Sequence, residues 1–146
     1  MFVETAREFI AFVEDGAVRL EPQPRLVAAR RVLARLVAAA TALPMVEPES
    51  DGPLPTVAAP ADWPGFEQHD LYWEVFDPYV DEAPVAGDLS DDVIDIYREV
   101  REALTRYDTG NTKDATWSWR FGFEGHWGDH AVDALRALQR ACRNGE

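Results

Sequence analysis

The chain has 146 residues, of which 47% are apolar, 28% charged and 11% aromatic. That composition suits a single globular domain over 1–146 and excludes a collagen, a coiled-coil rod or a wholly disordered chain. Twenty-seven acids against 14 bases give a formal charge of −13, which argues against nucleic-acid or anionic-membrane binding, since both need clustered Lys and Arg.

The single cysteine, Cys142, excludes an internal disulfide framework and a Cys-rich zinc site. The N-terminal stretch carries Glu4 and Glu8 where a signal peptide would be positive. The longest apolar run, Leu26 to Leu43, is interrupted by Arg30, Arg31 and Arg35. A cytoplasmic protein without a targeting or membrane segment is therefore expected.

The first helix is predicted over Phe2 to Glu14, where Phe2, Ala6, Phe9 and Val13 recur at helical spacing and Gly16 offers a stop. The second runs from Pro24 to Leu43 and buries Leu26, Ala29, Leu33, Leu36, Val37 and Ala40. Residues 44–64 hold six of the ten prolines and read as a long irregular loop, with Ser50-Asp51-Gly52-Pro53 exposed. A short helix is expected over 66–76, ended by Asp77-Pro78, with a strand-like stretch as the alternative.

The clearest segment follows. Leu89, Val93, Ile96, Tyr97, Val100, Leu104 and Tyr107 share one helical face, behind an expected Ser90 N-cap. Residues 113–125 carry Trp117, Trp119, Phe121 and Phe123 on all sides, which predicts a helix that is the central, most buried segment. A last helix is expected from Trp127 to Arg143. With almost no strand signal, the sum is an all-α antiparallel bundle of five or six helices.

Charge is uneven along this plan. Between Glu47 and Glu99 lie 15 acids and one base, Arg98, while the rest is nearly balanced. The stretch reads either as a surface for a basic protein partner or as a solvated face.

One polar constellation stands out. Asp88, Asp92, Asp95 and Glu99 share a side of the helix beginning near Leu89, and His126, His130 and Asp133 line an edge of the last helix. Three readings compete. A metal held by His126 and His130 with Asp92 and Asp95 would make a hydrolytic enzyme with an activated water. The pattern His126-Trp127-Gly128-Asp129-His130 departs from His-Glu-x-x-His at its second position. Alternatively, Arg120 pairs with Asp92 or Asp95, and Tyr97, His126 and His130 complete a structural network without metal or cofactor. The third reading is a small-molecule pocket walled by Trp117, Trp119 and Trp127. Ser50, Ser90 and Ser118 lack a nucleophile-elbow context, and no glycine-rich phosphate loop is present.

Three stretches carry a resemblance: Leu89-Ser90-Asp91-Asp92-Val93-Ile94-Asp95-Ile96-Tyr97-Arg98, Trp117-Ser118-Trp119-Arg120-Phe121, and His126 through Arg136. With Phe76-Asp77-Pro78, the chain resembles the bacterial family known as domain of unknown function 5063. The resemblance implies a small, mostly helical, cytoplasmic bacterial protein and brings no activity, substrate or cofactor. Without a complete catalytic motif, the first expectation is an acidic binding, adaptor or regulatory protein.

Overall fold

A computed structural model describes residues 1–50, 52–53 and 55–144, so Asp51 of the expected exposed turn lies outside the described residues. The protein is mostly helical with one small antiparallel sheet. Helix α1, Phe2–Ala11, buries Phe2, Ala6, Phe9 and Ile10. It does not stop at Gly16. The backbone stays helical through a π turn, Phe12–Gly16, and a 3₁₀ turn, Ala17–Arg19. Gly16 has φ −72°, an ordinary helical value, and buried Phe12, Val13 and Ala17 carry the apolar face onward.

Helix α2, Pro22–Ala40, starts on a proline at its first position and buries Leu26, Ala29, Val32, Leu33 and Leu36. Its buried Arg25 is a packing device. Nε donates to Ala17 O (3.1 Å), Nη1 to Gly65 O (2.9 Å) and Nη2 to Leu20 O (2.7 Å). The proline-rich loop lies against the helical body. The buried Asp114 carboxylate accepts from the Ser50 hydroxyl (2.7 Å) and the Glu49 and Ser50 amides (2.6 and 3.2 Å). These donors hold it below the usual carboxylate range.

The helix expected over 66–76 does not form. One 3₁₀ turn, Glu67–His69, leads into strand β1, Leu71–Glu74, which pairs antiparallel with β2, Val85–Asp88, in the register Leu71–Asp88 to Glu74–Val85. Gly65 (φ 71°) and Glu67 (φ 55°) put the backbone in the left-handed region at the point where a helix would nucleate. Asp70 then ties the turn to the next helix, accepting from the Phe66 amide (3.1 Å) and the Ser90 amide and hydroxyl (3.1 and 2.6 Å).

Helix α3, Leu89–Asp108, has the predicted buried stripe, and Asp88 caps it in place of Ser90 by accepting from the Asp91 amide (3.0 Å). Helix α4, Thr112–Gly122, does not end before the last helix. A π turn, Phe123–Trp127, joins it to α5, Gly128–Asn144, with helical dihedrals at Gly122, Phe123 and Gly128. Helix α3 packs on α1, α4 and α5, while α2 packs on α1 and α5.

The expectation that α4 is apolar-buried on every side fails. Trp119 and Trp127 are core residues, but Trp117 and Phe121 stack on each other at the surface, 4.7 Å apart. Arg120 consequently needs no buried carboxylate. It donates to Leu43 O (2.8 Å) and stands 4.0 Å from Glu124. Among the described residues, no helix is long and apolar enough to cross a membrane.

Candidate functional site

The side chains of interest come from α3, the second π turn, α5 and β1. Asp92 and Glu99 lie two turns apart on one side of α3, and His126 and His130 one turn apart where the π turn enters α5. Gly122 leaves the space that this junction requires. A β-carbon there would come within 3.0 Å of both the Trp127 ring and the Glu99 carboxylate.

The four groups form a continuous chain. His126 Nδ1 is 2.5 Å from Glu99 Oε2, and His130 Nδ1 is 3.0 Å from the buried Asp92 Oδ1. The two Nε2 atoms face each other at 3.2 Å, with the rings nearly perpendicular. Carboxylates accept, so each Nδ1 is assigned as the protonated nitrogen. With both rings neutral, both Nε2 lone pairs point into the same gap, and a proton added to either Nε2 is donated to the other.

Beyond Asp92 the chain continues onto the sheet. The Tyr72 hydroxyl donates to Asp92 Oδ2 and lies 3.0 Å from Glu74 Oε2. Burial and these carboxylates raise the Tyr72 phenol above its ordinary value. Burial also raises Asp92, against the opposing bonds from Tyr72 and His130. Asp133 is pushed up to about 6 by burial and by Glu74, with Asp92 and Asp129 adding repulsion. Glu74 and Asp133 form a crowded carboxyl pair that favours retention of a proton.

This crowding has a testable consequence. A carboxyl raised in the folded state stabilises the fold below its unfolded value near 3.8, and that contribution is lost as pH rises through about 6. Asp133→Asn mimics the protonated form. It should raise Tm at pH 7.5, and the gain should shrink to nothing as pH falls through 6 toward 4. Thermal melts across that range check it, and a gain independent of pH would contradict it.

Beside the pair lies a groove of about 840 Å³ between β1 and α5. Its floor holds Tyr72, Glu74 and Asp133, its rim carries Leu71, Trp73, Phe76 and Val132, and Arg136 and Arg140 line the α5 side. Leu71, Trp73 and Phe76 are 64%, 67% and 83% exposed.

The predicted residues separate into groups. Asp92, His126 and His130 come together, and Asp133 joins them through Glu74. Asp95 does not, because its partner is Arg98 (3.7 Å) on the exposed side of α3. Asp92 holds the outer nitrogen of His130, so neither aspartate stands as a metal ligand beside the two imidazoles. Tyr97 donates instead to Glu14 in the first π turn (2.6 Å), and burial with that carboxylate pushes it up to about 12.

Arg120 lies with Leu43 and Glu124. Trp119 and Trp127 are buried in the core and Trp117 stacks on Phe121 at the surface, while the tryptophan lining the groove between β1 and α5 is Trp73. Tyr72, Glu74 and Glu99 are site residues that none of the three sequence readings includes. Glu99 shares Asp92's side by spacing, whereas Tyr72 and Glu74 need the strand, which the sequence offers only as the alternative to a helix.

A sequence model of the family described as domain of unknown function (DUF5063) matches residues 65–143, which span the sheet, α3, α4 and most of α5. The chain belongs to this family. No curated protein matches the chain. Among solved structures, it is similar to the crystal structure of protein BF1032 from Bacteroides fragilis, with a TM-score of 0.79 and 23% identity over 96% of this chain and 89% of that one. That similarity establishes the shared fold.

Proposed function

We propose that this family member is a cytoplasmic bacterial binding protein that takes an extended, basic segment of a partner protein into the groove between β1 and α5. The observation that carries this reading is the line of consecutive residues from Leu71 to Phe76 along the groove. Successive strand residues point to opposite faces, so a groove touching all of them follows the strand's edge. Among the described residues, the backbone of 71–76 forms no hydrogen bonds beyond those to β2. A strand edge of this kind pairs with an added strand, while alternate side chains select the sequence.

Two features choose the occupant. Exposed Leu71, Trp73 and Phe76 offer apolar anchorage. The crowded Glu74 and Asp133, with Asp129 beside them, favour a Lys or Arg side chain that relieves their repulsion. The acidic 47–99 stretch adds long-range attraction for such a partner.

Fluorescence anisotropy with labelled nonapeptides alternating Lys or Arg with aliphatic and aromatic residues tests the reading. Binding should weaken about tenfold or more when the bases become Gln, or when Trp73 becomes Ala, consistent with an anchor worth over about 1.4 kcal/mol. Backbone N-methylation of the peptide should abolish binding. Equal binding by the N-methylated peptide, or no loss with Trp73→Ala, refutes strand addition at this edge.

A further inference from the structure

We propose that His126 and His130 bind one divalent late transition-metal ion between their Nε2 atoms, with Glu99 and Asp92 as the outer carboxylates that orient the rings. This site uses the opposite end of the polar chain from the groove and does not depend on peptide binding.

The separation of the two imidazole nitrogens suits a shared ion. Two imidazole nitrogens bound at about 2.0–2.1 Å lie about 2.9 Å apart in a right-angled arrangement and about 3.4 Å apart in a tetrahedral one. The 3.2 Å separation falls between these values. The rings reach it without rearrangement, one helical turn apart.

Carboxylates hold both rings from behind. Metal-bound histidines typically donate their second ring nitrogen to a carboxylate or carbonyl, which fixes the tautomer and leaves the other nitrogen's lone pair for the ion. Both rings show this pattern, His126 toward Glu99 and His130 toward Asp92. Asp92 is itself held from its other oxygen by the Tyr72 hydroxyl. With both Nδ1 atoms engaged and both rings neutral, the two Nε2 lone pairs converge on one gap, where a cation takes the place that an Nε2 proton otherwise fills as a hydrogen-bond donor between the rings.

Both imidazoles are open to solvent. His126 is 55% and His130 37% exposed, so an ion arrives from solvent and retains water on its remaining positions. Among the described residues, no three His, Cys, Asp or Glu side chains converge on one point, so the protein supplies two ligands. Two neutral imidazoles with water suit Cu²⁺, Ni²⁺ or Zn²⁺, whereas Mg²⁺ and Ca²⁺ prefer oxygen ligands.

Isothermal titration of untagged protein with NiCl₂ and ZnCl₂ in a non-chelating buffer tests the site. One ion per chain is expected. His126→Ala should weaken binding at least tenfold, and its exposed position makes it the variant that keeps the fold, checked by circular dichroism. Glu99→Gln, which leaves both imidazoles in place, should weaken binding by about 10- to 100-fold. His69→Ala, the third histidine, should leave binding unchanged, and MgCl₂ should give no heat of binding. Absence of binding at millimolar Ni²⁺ and Zn²⁺, or equal affinity in wild type and His126→Ala, overturns the proposal. Unchanged affinity in Glu99→Gln overturns the role given to the carboxylate.

Discussion

Replacing Trp127 by alanine should cost about 3–5 kcal/mol of folding stability, the range for truncating a large buried aromatic. Trp127 is fully buried. Its ring meets Phe123 edge-on at 4.8 Å and Phe2 at 6.3 Å, and its indole N–H donates to Trp119 O (3.2 Å). The substitution removes the ring and one of the two donors to that carbonyl, which keeps the Phe123 N–H. Urea unfolding followed by far-ultraviolet circular dichroism measures the loss, with Trp127→Phe expected to retain part of the packing. A loss below about 1 kcal/mol would show that the site can collapse around alanine, contrary to close packing between α1 and the second π turn.

Gly128→Ala is the second large effect, and its sign is informative. In an ordinary helix interior, Gly to Ala stabilises by about 1 kcal/mol. Here the Gly128 N–H donates to Phe123 O, the five-residue reach of a π turn, and a β-carbon at 128 would stand 2.1 Å from that same carbonyl oxygen. The neighbour is backbone, so it cannot rotate away. The π turn must open or revert to α spacing, which would rotate α5 against α4 by about 100°. A net destabilisation of about 1–3 kcal/mol is expected, as for overpacked sites.

Gly125 provides the control. It lies in the same turn, and a β-carbon there would meet nothing within 4 Å, so Gly125→Ala should be neutral or stabilising by up to about 1 kcal/mol. Denaturant midpoints of the two variants decide the matter. Equal shifts would mean that close approach to Phe123 does not govern the turn.

These two substitutions also mark where the sequence is legible. The α3 stripe is readable because seven apolar residues repeat at helical period over 20 residues. His126 and His130 are readable as a pair from their spacing of four. The π turns are not, since one additional residue inside a helix leaves the composition unchanged and shifts only the hydrogen-bond reach. The sheet is legible only as the strand-like alternative over 66–76, because its strands are four residues each and β2 reads Val-Ala-Gly-Asp, with little β-branched content.

Arg120 illustrates a different limit. Its position among aromatics suggests a buried charge needing a carboxylate, but a backbone carbonyl just past the end of α2 satisfies it. Backbone acceptors carry no sequence signature. The same applies to Asp114, whose amide partners come from a loop some 65 residues earlier.

Arg25 extends that point to the whole chain. One planar cation joins the carbonyls of Ala17, Leu20 and Gly65, so the stretch from the first helix through α2 and the proline-rich loop closes into a ring. Secreted domains often close such rings with a disulfide. The lone cysteine here is buried in α5, and the closure is made of charge-assisted hydrogen bonds instead. A crosslink of this kind is indifferent to thiol reductants, forms without an oxidant and re-forms each time the chain refolds.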